Sequence, residues 1–103
     1  MDQRRTSVLV VEDNPGDARL IQEYLRESPA IDASLTLVST LAAAVEVLQT
    51  EQIDIVLLDL SLSDSSGLYS VRTLIRTAPT TPIVVLNGNE DRELILQAVQ
   101  VGA

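Results

Sequence analysis

Cysteine, histidine, lysine, phenylalanine and tryptophan are all absent from the 103-residue sequence, and Tyr24 and Tyr69 are its only aromatics. Without cysteine there are no disulfides, no thiol nucleophile and no thiolate-bound zinc. Without histidine there is no imidazole acid–base chemistry, and the commonest transition-metal ligand is missing. Positive charge is scarce: seven arginines stand against fifteen acids, a net charge of −8. So acidic a chain is not expected to bind nucleic acid or an anionic membrane, and instead suits a cation or a basic partner. Long apolar runs are lacking too. Val8–Val11 is followed at once by Glu12 and Asp13, short of the ~7–15 apolar residues of an export signal and of the ~20 of a membrane span. The expectation is a soluble, cytoplasmic chain whose chemistry runs on carboxylates, hydroxyls, amides and backbone.

What is present is a folded-domain composition, 46% hydrophobic and 21% charged, and a length that suits one domain over residues 1–103. Ser7–Val11 is a short, continuous, Val-rich run, as expected of a strand buried on both faces. Asn14 is a good helix cap, Pro15 suits the first helical position, and Asp17 complements the helix dipole. Leu20, Ile21, Tyr24 and Leu25 then recur at helical spacing until Ser28-Pro29. The same alternation predicts a strand at Ser34–Val38 and a helix capped by Thr40 and running to about Thr50. A strand at Ile53–Leu58 follows, then a Ser-rich loop at Ser61–Gly67. A third helix carries Leu68, Val71, Leu74 and Ile75 inward. A fourth strand is expected at Ile83–Leu86, and a fourth helix from about Glu90 to Val101, closed by Gly102. Four βα units with uniformly apolar strands imply an α/β fold: a doubly wound parallel sheet with helices on both faces.

Ligands in such sheets bind beyond the carboxyl ends of the strands. The first strand ends in Glu12-Asp13, the third in Asp59, and the fourth in Asn87-Gly88. An acid after a strand often does no more than cap a helix. Asp59 is different, because its helix starts several residues later. An ionised Asp directly after Ile55-Val56-Leu57-Leu58 is costly to bury without a counter-charge. Three carboxylates meeting in one crevice repel one another unless a cation is shared. With only oxygen ligands on offer, Mg²⁺ is favoured, with Mn²⁺ as a substitute.

Val8-Leu9-Val10-Val11-Glu12-Asp13-Asn14, then Asp59-Leu60-Ser61-Leu62, Gly67 and Pro82-Ile83-Val84-Val85-Leu86, together resemble the receiver domain of two-component response regulators, the CheY-like fold. The resemblance covers the whole chain. It implies strand order 2-1-3-4-(5), with the fifth βα unit missing from this sequence. It implies that Asp59 is the phosphoacceptor, receiving a phosphoryl group from a sensor histidine kinase or phosphotransfer protein. It implies a metal set of Asp13, Asp59, Glu12 partly through water, and the backbone carbonyl of Ser61. It places Asn87 and Gly88 beside the phosphoryl group.

Three departures from the family pattern are visible. Asn87 stands where a Ser or Thr is usual, and Ser63 stands where Pro is common. The fifth strand, with its Lys and aromatic switch residue, has no counterpart here. Tyr24 and Tyr69 do not match the switch position and are read as packing or surface residues. These departures keep a second reading open, a degenerate receiver that acts as a phosphorylation-independent interaction module. The intact acidic triad counts against it. A Mg²⁺-dependent phosphatase or Toprim-type site fits less well, because Asp13-Asn14-Pro15 and Asp59-Leu60-Ser61 each lack the second Asp such sites use. A signalling domain rather than an enzyme is expected, and the outer edge of the fourth strand leaves three alternatives: self-association through that edge, exchange of elements with a second copy, or a longer ordered domain of which this sequence is a part.

Overall fold

The computed structural model describes the backbone of residues 5–28, 32–59, 61–62, 65–86 and 92–102. In chain order the elements are β1 (Thr6–Val11), α1 (Pro15–Glu27), β2 (Ala33–Val38), α2 (Leu41–Thr50) and β3 (Ile55–Asp59). Then come β4 (Ser61–Leu62), β5 (Ser65–Ser66), α3 (Gly67–Thr77), β6 (Ile83–Leu86) and α4 (Arg92–Gly102). The main sheet is parallel with order β2-β1-β3-β6, the order expected for the first four strands.

Side-chain alternation divides the core in two. Val8 and Val10 of β1 and Ile55 and Leu57 of β3 pack with Ile21 and Leu25 of α1 and with Ile95 and Val99 of α4. Leu9, Val11, Val56 and Leu58 face the other way, onto Leu41 and Ala44 of α2 and Leu74 of α3. Every side chain of β3 is buried, because this strand lies inside the sheet and beneath helices on both faces. That explains its unbroken apolar sequence.

Local chemistry sets the helix starts. The Asn14 side-chain oxygen accepts from the backbone N–H groups of Gly16 at 2.9 Å and Asp17 at 3.1 Å, and Thr40 Oγ1 accepts from Ala43 at 3.1 Å. Both expected caps are in place.

Several details differ from the sequence expectation. The third strand begins at Ile55 rather than Ile53 and includes Asp59. Asp54 turns the chain into it, donating its N–H to the Ser7 carbonyl at 2.8 Å and accepting the Ser7 N–H on Oδ2 at 2.7 Å. The Ser-rich segment is not simply a loop, since Ser61 and Leu62 pair antiparallel with Ser66 and Ser65. Gly67 opens α3 with φ +60, a left-handed conformation that glycine adopts without a Cβ penalty. Gly102 falls within α4 rather than closing it from outside.

The inward face of α3 is narrower than its apolar residues imply. Leu74 and Ser70 are buried, whereas Leu68 is 72% and Ile75 50% exposed. Tyr24 packs against the core and Tyr69 lies on the surface, as read from sequence. Among the described residues, no helix is long and apolar enough to cross a membrane.

Candidate functional site

The strand register builds the site. Val11 pairs with Leu58 across β1 and β3, so the next residues in register are Glu12 and Asp59. Glu12 has the same parity as Val8 and Val10, and Asp59 the same as Ile55 and Leu57. Both carboxylates therefore point to the α1 side of the sheet. The Glu12 N–H still bonds the Val38 carbonyl at 3.0 Å, which extends the β1–β2 ladder one residue and fixes the Glu12 backbone. Glu12 is 5% and Asp59 8% exposed, while Asp13 is half-buried at the rim. One carboxylate oxygen from each of Glu12, Asp13 and Asp59 lies within 4.8 Å of the others. The structure thus brings together the three acids that the sequence singled out.

The Glu12 carboxyl is pushed up from the ordinary value of 4.5 to about 8, first by burial and then by the Asp59 carboxylate beside it. The Asn14 N–H opposes this by donating to Glu12 Oε2 at 3.2 Å. Sequence reasoning gave Asn14 only its capping role, and this backbone contact has no signature in the side chains. The other oxygen, Glu12 Oε1, is buried without a hydrogen-bond partner. A buried carboxylate oxygen with no donor is costly. A proton shared with Asp59 or a cation held between the carboxylates removes that cost. The donor set, carboxylate oxygens alone, fits a hard divalent cation such as Mg²⁺. Of the other expected site residues, Ser61 lies two residues beyond Asp59 in β4. Asn87 and Gly88 lie outside the described residues.

The family model for the response regulator receiver domain matches residues 8–103. The chain belongs to that family. The receiver is 28% identical to the TorCAD operon transcriptional regulatory protein TorR of Escherichia coli K12, a match that covers 93% of this chain and 40% of TorR. It spans less than half the length of the curated relatives it matches. Among solved structures, the MaeR response regulator bound to beryllium trifluoride superposes with a TM-score of 0.72 at 28% identity, over 95% of this chain and 80% of MaeR. The receiver domain of the sensor histidine kinase PA1611 from Pseudomonas aeruginosa PAO1, solved with a magnesium ion in its active site cleft, superposes with a TM-score of 0.80. It is 21% identical, and the match covers 95% of this chain and 97% of that domain. The receiver described here therefore has the CheY-like architecture anticipated from its motifs.

Proposed function

We propose that this receiver is a phosphoacceptor of a two-component relay and that Asp59 is the accepting residue. The observation that carries the reading is the convergence of Asp59 with Glu12 and Asp13 at the carboxyl ends of β1 and β3, with Glu12 Oε1 buried and unpartnered. An Asp59 oxygen attacks the phosphorus of a phosphohistidine on a sensor kinase or phosphotransfer protein. The P–N bond breaks, the electron pair stays on the imidazole, and an acyl phosphate forms. Asp13 and Asp59 would hold Mg²⁺, with Glu12 partly through water and the Ser61 carbonyl completing the protein ligands. When bound, the ion supplies neutralisation of the charged oxygens of the transferring group. Burial beside β1 orients Asp59, and the Asn14 N–H keeps Glu12 directed into the cluster. Asn87 and Gly88 would contact the phosphoryl group. A cytoplasmic signalling role suits this chemistry, with the switch read by an output domain or partner.

The test is incubation with a small phosphodonor and Mg²⁺. Intact-mass analysis is expected to show one added phosphoryl group, stable in acid and labile in base. Asp59→Asn should abolish it, and undiminished labelling in that variant would overturn the assignment.

A further inference from the structure

The α2 and α3 helices lie side by side on the sheet face opposite α1 and α4. Between them runs a groove of about 380 Å³ lined by Leu41, Ala42, Val45, Tyr69 and Thr73. The lining is largely aliphatic and aromatic, and Tyr69 stands 67% exposed at its edge. The two helices that flank it are oppositely charged. The α2 segment carries Glu46, with Glu51 just past its end, and no basic residue; α3 carries Arg72 and Arg76 and no acid. On a chain of net charge −8, α3 is a local inversion of sign. All four of these charged side chains are exposed. None of them makes an ion pair among the described residues, where the pairs formed are Arg5–Asp32 and Arg19–Glu23.

We infer that this face docks a second copy of the chain, α2 of each protomer lying on α3 of the other. The pattern is self-complementary in the way a two-fold interface requires. The groove sets Ala42 and Val45 of α2 opposite Tyr69 and Thr73 of α3, so Glu46 and Arg72 stand at nearly the same height on their helices. A two-fold axis running along the helices preserves that height. It places Glu46 over the Arg72 position of the other protomer, and Glu51 towards Arg76. The two grooves then close on each other around the two Tyr69 rings, the kind of aromatic anchor that dominates interfaces. None of these residues belongs to the Glu12, Asp13 and Asp59 cluster, so dimerisation through this face is independent of phosphorylation chemistry at the strand ends.

Analytical ultracentrifugation with charge-reversed variants tests it. Wild type is expected to dimerise in a concentration-dependent way, more weakly as salt is raised. Glu46→Arg and Arg72→Glu should each weaken the dimer roughly tenfold or more, because each turns two cross-interface attractions into two repulsions. An equimolar mixture of the two variants restores both attractions, and should dimerise as wild type does. Tyr69→Ser should weaken association without changing its salt dependence. Circular dichroism verifies that each variant is folded, and the mixture supplies a positive control made from the same two proteins. Wild type that remains monomeric up to roughly millimolar concentration, or a mixture no tighter than its components, would overturn the inference; the first result would leave the face to a different partner.

Discussion

The Glu12 carboxyl lies one residue past the last Val of β1, on the same face as Val8 and Val10, and its proton affinity follows from that position. Burial and the neighbouring Asp59 hold its pKa up at about 8, against an ordinary 4.5. Between those values the folded chain keeps a proton that the unfolded chain has lost. Stability is therefore greatest below the ordinary value and falls as pH rises towards 8. Without divalent cations, the melting temperature is expected to decline from about pH 5 to about pH 8 through this group. Glu12→Gln should flatten the decline and raise stability at the alkaline end, since the amide carries no charge and can donate to Asp59. Thermal melts across the pH series check this. An identical slope in wild type and Glu12→Gln would show that Glu12 is not the group responsible. The candidate site was legible in sequence at this scale because an acid directly after a buried strand is energetically conspicuous. The environment of the two Glu12 oxygens was not. It depends on which oxygen meets Asn14 and which is left buried without a donor, and residue order does not encode that.

At the scale of elements, sequence periodicity located the four helices and the four main-sheet strands found among the described residues, because continuous apolar runs and capping residues are local signals. It was less informative about which flank of each helix meets a neighbour. On α3, Leu68, Val71, Leu74 and Ile75 look equivalent by spacing, yet Leu74 is fully buried while Leu68 and Ile75 are largely in solvent. The reason lies outside α3. The last helix, α4, packs over β1 beside α1 rather than beside α3, so the flank of α3 away from α2 has no helix against it among the described residues. Val85 of β6 is 40% exposed and shares strand parity with Ile83, which packs on this same side. Truncation separates the two environments. Leu74→Ala is expected to cost about 2–5 kcal/mol of stability. Leu68→Ala and Ile75→Ala should each stay within about 0.5 kcal/mol of wild type. Urea unfolding of the three variants measures this directly, and comparable losses at all three positions would mean that α3 buries the broader face its sequence suggests.

At the scale of the whole molecule, the sheet order β2-β1-β3-β6 puts β1 and β3 at the centre, so the acids at their ends sit over the best-packed part of the fold. The cost of crowding the Glu12, Asp13 and Asp59 carboxyls together is thereby coupled to global unfolding rather than to fraying of an edge. A cation that binds only the folded cluster stabilises the entire domain by mass action, by about 2.7 kcal/mol at a concentration one hundred times its dissociation constant. For a domain of this size, each kcal/mol moves the melting temperature by roughly 4–8 °C. Saturating Mg²⁺ at neutral pH is therefore expected to raise it by roughly 10–20 °C. Asp13→Ala should remove most of that response while making the metal-free chain no less stable, because one carboxylate crowded against the others is gone. The two effects have opposite signs, which separates loss of a ligand from general damage to the fold. Differential scanning calorimetry with and without Mg²⁺ provides the measurement. An equal Mg²⁺-induced shift in wild type and Asp13→Ala would place the ion away from this cluster, and no shift in wild type would remove the cation from the mechanism altogether.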